Sequence, residues 1–378
     1  MNERIPLVKP DLPPFEEIEG ALRDILDSGR VTNFGAWVEA LEREAEAYIG
    51  VPVVSVSSGS LGLVFALQAA GLAPGATVIL PSFTFMATAQ AVLYAGGTPL
   101  FAEVEEDLTM SPADLASLLA ARRGVGAVVP VHTYGLPCRV DDLRHVVEEA
   151  ARASRHRIVT VYDAAHAFGS AVGDGRVGTF GDAEVFSLSA TKILVSVEGG
   201  LVASHDGELI RRVRRMRNYG IEDGYEAHWP GLNGKMSELH ALIGLHNLRR
   251  LEAVMEERQR KASDYLARIG RNTGFRTLPP PAKVTHTFKD FTIILPETLA
   301  GRRDAVLALL RSRGVDTRAY FFPPVHEQPF FRRFADRPLP RTESLSRLVI
   351  TVPFYTTMTD AEMDQVVSAL AEAERSLA

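Results

Sequence analysis

The stretch from about residue 50 to residue 205 alternates short, wholly apolar segments with segments whose apolar residues recur at helical spacing. Segments that are apolar throughout predict strands buried on both faces, and their alternation with helices predicts a mainly parallel sheet covered by helices on both sides. The predicted strands lie in VPVVSVSS, ATVILPS, TPLFAEV, GAVVPVH, HRIVTVYDA, EVFSLS and GLVASH. Because ligands bind at the carboxyl ends of the strands in such sheets, polar residues there are the candidates for function.

The pattern changes after residue 205. The segment GELIRRVRRMRNYG predicts a helix, a polar, glycine-rich loop follows, and a long helix is predicted from Glu238 to about Leu266. The last hundred residues predict a smaller α/β domain, with strands in DFTIIL and LVITVP and helices in RRDAVLALLRSRG and DAEMDQVVSALAEAER. We therefore expect a large domain over residues 1–248, a small domain over 249–378, and an N-terminal segment able to pack on the small domain.

Composition excludes several classes of protein. The formal net charge of −6 argues against a nucleic-acid partner, and Cys138 is the only cysteine, which rules out a disulfide framework and a cysteine-based metal site. No metal-ligand spacing is found among the 10 histidines. The N-terminus lacks the apolar segment of a signal peptide, and no stretch approaches the roughly 20 apolar residues of a membrane span. We expect a cytoplasmic enzyme without a membrane partner.

Asp163 ends the predicted strand RIVTVYD. A carboxylate at the end of a buried strand is costly unless a cation meets it. One interpretation is an N-terminal cap for a helix over the following residues AAHAFG. The other is a carboxylate that keeps a pyridinium nitrogen protonated, so that the ring acts as an electron sink.

Lys192 follows the predicted strand EVFSLS and precedes Glu198-Gly199-Gly200. Most lysines are solvated surface groups. This one lies at a strand end, among small hydroxyl residues and with almost no other charge in the segment SATKILVSVEGGLV. A lysine shielded in this way has a lowered pKa and can form imines.

The predicted helix after the first strand begins at Ser57-Ser58-Gly59-Ser60. Free N–H groups and the helix dipole make such a start a potential anion site, although serine-rich starts are usually plain caps. The sequence Gly173-Asp-Gly175-Arg-Val-Gly178 matches the dinucleotide-binding fingerprint. Because it leads into a strand and not a helix, it predicts a hairpin-like turn and no nicotinamide site. His132, at another strand end, is interpreted as structural.

Taken in order, these segments resemble the DegT/StrS-type sugar-nucleotide aminotransferases. The ordered segments are RVTNFGAWVEALEREAEAYIGV, SSGSLGLVFAL, PSFTFMATAQAV, VPVHTYGLP, YDAAHAFGS, VGTFGDAEVFSLSATK with EGG, GLNGKMSELHALIGL and YFFPPVH. The resemblance implies fold type I, an α/β fold whose large domain holds a mainly parallel seven-stranded sheet between helices and is joined to a smaller C-terminal α/β domain. It also implies the cofactor pyridoxal 5′-phosphate (PLP), glutamate as amino donor, a keto-sugar nucleotide as acceptor, and a homodimer with shared active sites.

The resemblance also implies a role for each matching residue. Lys192 would hold PLP as a Schiff base and carry protons, and Asp163 would pair with the pyridine nitrogen. The other implied cofactor contacts are Phe85 stacked on the ring, His166 near the phenolic oxygen, Gly59, Ser60 and Ser187 at the phosphate, and Asn233 reaching the phosphate of a neighbouring subunit. The implied substrate contacts are Tyr320, His326 and Lys235.

The chain departs from the family pattern at a few positions. Ser60 stands where threonine is usual, Leu188 and Ser189 stand where relatives have bulkier residues, and Lys235 stands where many relatives have arginine. The segments resemble most the branch that aminates C4 of a dTDP-4-keto-6-deoxyhexose. A C3 aminotransferase, a PLP-dependent sugar dehydratase and a non-catalytic regulator remain the alternatives. In the dehydratase branch a histidine replaces the lysine, so Lys192 argues against that alternative, and the intact Lys192–Asp163 pair argues against a regulator.

Overall fold

The computed structural model describes residues 4–222 and 224–378 of the 378-residue chain. The helices, α1 to α11 in chain order, span Phe15–Ser28, Ala36–Ile49, Gly59–Ala69, Met86–Tyr94, Pro112–Ala121, Val140–Ser154, Gly207–Met216, Glu238–Asn272, Arg303–Ser312, Pro340–Leu348 and Asp360–Leu377. The strands, β1 to β13, span Val53–Val56, Thr77–Pro81, Thr98–Ala102, Val125–Val128, Val159–Asp163, Ala171–Val172, Gly175–Arg176, Ala183–Ser187, Gly200–Ala203, Arg276–Thr277, Val284–Thr285, Phe291–Ile294 and Val349–Val352.

The central sheet has seven strands in the order β1-β9-β8-β5-β4-β2-β3. Every neighbouring pair is parallel except those of β9, which runs antiparallel to β1 and to β8. Each predicted strand of the first 205 residues is present, and the mainly parallel seven-stranded sheet is confirmed. The physical reason is burial on both faces, since the residues of the parallel strand β5 are buried throughout.

Two short elements decide between sequence interpretations. Strands β6 and β7 form an antiparallel hairpin around Gly173, whose φ of +57° suits glycine, so the predicted turn is confirmed. No helix begins after Asp163, so its interpretation as a helix cap is wrong. Its Oδ1 instead accepts a hydrogen bond from the Ala165 N–H at 3.0 Å, which closes a tight turn.

Helix α8 is longer than expected and ends at Asn272 instead of about Leu266. The helix continues because Tyr265 and Ile269 are fully buried, and they pack in a core with β12 and β13. Buried residues of its first half, such as Leu245, pack instead against α2 in a core under the large sheet. The predicted boundary at 248/249 lies within this continuous helix.

The N-terminal segment reaches the core of the C-terminal region. Ile5 is buried among the residues that pack on β12 and β13, and its N–H donates to the carbonyl of Gly314 at 2.8 Å.

In the part of the chain that the structure describes, none of the helices combines the length and apolar character needed to cross a membrane.

Candidate active site

A cleft of about 230 Å³ lies at the carboxyl ends of β1, β5 and β8. Its position follows from the sheet, because the ends of these strands meet at one edge and the loops after them carry polar side chains. Seven of the predicted site residues line it, namely Gly59, Ser60, Phe85, Asp163, His166, Ser187 and Lys192. They come from four separate segments, so the fold brings together residues that lie far apart in the sequence.

Asp163 is buried at the end of β5. Its Oδ2 accepts a hydrogen bond from Thr88 Oγ1 at 2.7 Å, and no lysine, arginine or histidine of the described residues lies within 4.0 Å to form an ion pair. Burial raises the pKa of this carboxyl group, while the hydrogen bond from Thr88 opposes the rise. A buried carboxylate with two neutral hydrogen-bond donors and no cation suits a ligand that brings its own positive charge.

Lys192 lies in the turn after β8, and its N–H donates to the Ser189 carbonyl at 2.9 Å. The pKa of its amine is lowered to about 8, mainly by burial and also by the nearby charge of Lys289, while Asp290 and Asp163 oppose the lowering. At neutral pH a larger fraction of this amine is uncharged than of an ordinary lysine. An uncharged amine is the form that attacks a carbonyl group.

The N-terminus of α3 faces the same cleft. Ser58 caps the helix by accepting a hydrogen bond from the Leu61 N–H at 3.2 Å. The N–H groups of Gly59 and Ser60 donate to no protein acceptor among the described residues, so they remain free for an anion. A Cβ atom on Gly59 would lie 2.9 Å from the Cβ of Ser187, which shows how closely the helix start approaches the end of β8.

Aromatic rings form another wall of the cleft. Phe85 is 49% exposed, so its ring is available to stack against a flat ligand. Phe321 lies beside it with 6.4 Å between ring centroids, and the His166 ring is also 6.4 Å from Phe321 in a stacked orientation. Phe321 lies next to the predicted Tyr320, and sequence reasoning missed it.

The two histidines at this edge differ in role. His132 is fully buried, its Nε2 lies 2.8 Å from the carboxylate of Glu184, and its Nδ1 accepts a hydrogen bond from the Cys138 N–H. This is the structural position that the sequence suggested, although the ring also borders the cleft. His166 makes no such contacts, and burial lowers the pKa of its imidazole well below the usual value, with further lowering by Lys192 and Lys289.

Four predicted site residues lie outside the cleft. Asn233 is exposed in the loop before α8, and the amine of Lys235 lies 5.0 Å from the centre of the Tyr219 ring. The hydroxyl of Tyr320 accepts a hydrogen bond from Arg318.

His326, expected as a substrate contact, lies in a buried hydrogen-bond network. It is buried, with its Nδ1 2.6 Å from the Ser82 hydroxyl and its Nε2 3.3 Å from Glu343. Nδ1 thus joins its segment to the residue after β2, and Nε2 joins it to α10, so that His326 does not border the cleft of its own chain, and its role as a substrate contact stays a prediction.

Comparison with known proteins gives this geometry a context. Residues 15–371 match the sequence profile of the DegT/DnrJ/EryC1/StrS aminotransferase family. The chain belongs to this family. The match covers nearly the whole chain, so it includes every segment on which the resemblance was based.

Individual family members show the range of substrates. The chain is 32% identical to a UDP-N-acetyl-3-dehydro-alpha-D-glucosamine 3-aminotransferase of Acidithiobacillus ferrooxidans, over 98% of each chain. It is 29% identical to a dTDP-4-amino-4,6-dideoxy-D-glucose transaminase of Escherichia coli, over 95% of this chain and 96% of the relative. The crystal structure of DesI in the presence of its TDP-sugar product superposes with a TM-score of 0.91 at 32% identity, covering 100% of this chain and 94% of DesI. The fold type I assignment is therefore confirmed.

The cleft fits the cofactor of these aminotransferases. It offers a buried carboxylate that no cation of the described residues approaches within 4.0 Å, free N–H groups at a helix start for a phosphate, an exposed aromatic ring, and a lysine with a lowered pKa. These are the groups that a phosphorylated, aromatic, aldehyde-bearing molecule requires.

Sequence reasoning missed two further residues besides Phe321. Thr88 holds Asp163 from the first turn of α4, and it could have been suspected because it lies three residues after Phe85 in the same segment. Glu198 borders the cleft from the turn before β9, and its position in the EGG segment was the available signal.

Proposed function

We propose that the protein is a PLP-dependent aminotransferase that moves an amino group from glutamate to a keto-sugar nucleotide, at C4 of a dTDP-4-keto-6-deoxyhexose. One observation carries the proposal: Lys192, Asp163 and the free helix start at Gly59 border a single cleft. A regulator without catalysis would have no need of a lysine amine whose pKa is lowered to about 8.

The residues divide the work by position. Bound PLP supplies an electron sink for the carbon that loses its proton. Gly59, Ser60 and Ser187 bind the phosphate, and Phe85 orients the ring from its exposed face. Asp163 holds a proton at the ring nitrogen, because its buried carboxylate gains from a cationic neighbour. Lys192 moves a proton at its Nζ to and from the substrate carbon that bears nitrogen.

Support for the sugar comes from the shape of the cleft and from the relatives. Ser189, small and polar, borders the cleft, whereas the side chain of Leu188 is buried in the core and leaves the cleft open. Tyr320 and Lys235, outside this cleft in the single chain, are proposed to contact the nucleotide part. DesI with its TDP-sugar product and the E. coli dTDP-sugar transaminase support a dTDP sugar.

A second candidate is amination at C3 of a 3-keto sugar nucleotide. The Acidithiobacillus relative, named as a 3-aminotransferase of a UDP-sugar, favours it. The position of the acceptor carbonyl relative to Lys192 decides between C3 and C4, because a displacement of about one ångström can change the rate a hundredfold. Lys192 argues against the dehydratase alternative.

The test is incubation of the purified enzyme and PLP with ¹⁵N-glutamate and dTDP-4-keto-6-deoxyglucose, followed by NMR of the product. We expect ¹⁵N at C4 and stoichiometric 2-oxoglutarate. The Lys192→Ala variant, which keeps the phosphate and ring contacts, serves as the inactive control. Nitrogen at C3, or turnover only with a 3-keto UDP-sugar or a ketone without a nucleotide, would contradict the substrate assignment. Normal turnover by Lys192→Ala would contradict the proposed function itself.

A further inference from the structure

A buried ion pair lies directly before β12, behind the wall of the cleft. The amine of Lys289 donates to Asp290 Oδ1 at 2.8 Å, and the two side chains are 5% and 1% exposed. Burying two charges carries a desolvation cost that their mutual attraction often does not recover. Such a pair is therefore expected to add little to the free energy of unfolding, and its other contacts indicate its role.

The second oxygen of Asp290 has no hydrogen-bond partner although it is buried. It lies 3.9 Å from Nδ1 of His166, about 1 Å beyond a hydrogen bond, so a small rotation of either side chain joins them. A buried carboxylate oxygen gains most from a donor, and Nδ1 of His166 is the ring nitrogen that faces it.

No other hydrogen bond among the described residues fixes the orientation or the tautomer of the His166 ring. Its ring makes no hydrogen bond to any other described residue, and only its backbone carbonyl is fixed, by the Thr287 hydroxyl at 2.7 Å. The other charged or titratable groups that face it are Lys192, Lys289 and His286. The two lysines supply no acceptor for an imidazole N–H. Asp290 is therefore the carboxylate that can determine which nitrogen of the His166 ring carries the proton.

We propose that Asp290 is a positioning residue that acts through His166. Its carboxylate keeps the imidazole proton on Nδ1 and the ring in one orientation, so that His166 presents Nε2 to the cleft as a hydrogen-bond acceptor in the neutral state. Lys289 holds the side chain of Asp290 in place through its hydrogen bond to Oδ1. The C-terminal region thereby reaches the cleft through a residue of the loop after β5. The structural part of this inference is independent of the substrate, and its kinetic part depends on the proposed function.

The first experiment reads the tautomer in the cofactor-free protein. Selective ¹⁵N labelling of histidine, with the His166 signals assigned by their loss in His166→Gln, gives the protonation of each ring nitrogen. We expect Nδ1–H for His166 in the wild type and a shift towards Nε2–H in Asp290→Asn. Asp304→Asn, at an exposed aspartate of α9, is the matched control and should leave the spectrum unchanged. An Nε2–H ring in the wild type, or no change in Asp290→Asn, would overturn the proposal.

The second experiment is a double-mutant cycle on the half-reaction with glutamate. We expect Asp290→Asn to lower the rate about tenfold when His166 is present and less than about twofold in the His166→Gln background, as for residues in contact. Equal losses in both backgrounds would overturn the link through His166. Since the tautomer is read without substrate, a wrong assignment of function would leave the first experiment intact.

Asp290→Asn leaves the amine of Lys289 without its partner and could unfold the protein. The paired variant Lys289→Met/Asp290→Leu removes both charges and keeps apolar volume, which buried pairs often tolerate. It should melt as a cooperative fold and show the same shift of the His166 tautomer. A folded paired variant that retains Nδ1–H would overturn the proposal.

Discussion

At the scale of single residues, the site depends on the burial of ionisable side chains. Asp163 accepts hydrogen bonds only from neutral donors of the described residues, and Lys192 has a pKa of about 8 mainly because burial disfavours its charged form. In the proposed function, the desolvation cost of each group would be offset when a cationic ring pairs with Asp163 and when Lys192 reacts with a carbonyl group.

The lowered pKa of Lys192 predicts how covalent loading depends on pH. The neutral amine is the nucleophile, so below pH 8 its fraction falls about tenfold per pH unit, and above about pH 9 it is nearly complete. Stopped-flow absorbance of the cofactor-free enzyme mixed with PLP should therefore show a rate that rises with pH, is half-maximal near pH 8 and then levels off. N-acetyl-lysine amide, as reference amine, corrects for titration of PLP itself. A rate that keeps rising to pH 10, as for an ordinary lysine, would contradict the lowered pKa of this amine.

At the scale of elements, the contact between α3 and β8 shapes the anion site. The helix start approaches the strand so closely that only glycine fits at position 59, while Gly200 approaches the same backbone from β9. The close approach brings the N–H groups of Gly59 and Ser60 and the hydroxyl of Ser187 to the border of one cleft.

Gly59→Ala should weaken PLP binding. The added Cβ would lie 2.9 Å from Ser187 Cβ and 3.1 Å from Ser187 Cα, so the helix start must move away from β8. Overpacking of this kind costs about 1–3 kcal/mol, which corresponds to a loss of roughly 5- to 150-fold in affinity. Equilibrium dialysis of PLP measures it. Gly270→Ala in α8 is the matched control, because its added Cβ meets nothing within 4 Å and should leave affinity unchanged. Equal affinity in Gly59→Ala and wild type would show that the phosphate binds elsewhere.

At the scale of the whole molecule, the position of Asn233 bears on assembly. The loop that carries it is tied to the start of the site, because the Ser57 N–H donates to the Gly234 carbonyl at 2.8 Å, yet Asn233 does not border its own chain's cleft. It is exposed together with Leu232, which is 56% accessible. An exposed polar side chain next to an exposed apolar one fits a surface that meets a second copy of the chain.

If Asn233 serves a neighbouring cleft, two inactive variants should complement each other. A Lys192→Ala chain and an Asn233→Ala chain would form hybrid dimers in which one site keeps both native residues. After subunit exchange, shown by native mass spectrometry, we expect recovery towards about a quarter of wild-type activity, since half of the dimers are hybrids and each has one intact site. Mixing Lys192→Ala with Lys192→Ala/Asn233→Ala is the control and should recover none. Absence of recovery after proven exchange would place Asn233 outside any shared site.

Much of the fold and the centre of the candidate site could be predicted from sequence, because the signals are local. Burial on both faces of a strand is written in runs such as VPVVSV and RIVTVYD, and the parallel arrangement then brings their carboxyl ends to one edge. Gly59 and Lys192 follow strands of this kind and Asp163 ends one, so their meeting in one cleft follows from the strand pattern.

Only the tertiary structure decided which distant residues reach that cleft. Phe321 lines the cleft, whereas His326, five residues later, contacts Ser82 outside it. Asp290 does not line the cleft but lies 3.9 Å from the His166 ring. No local pattern separates these outcomes, because each depends on how the C-terminal region packs against the large sheet. The sequence by itself determined the strands, the helices and the chemistry at the strand ends, since these depend on periodicity and neighbouring residues. The packing decided the walls of the site, since contacts across more than a hundred residues form only when the whole core closes.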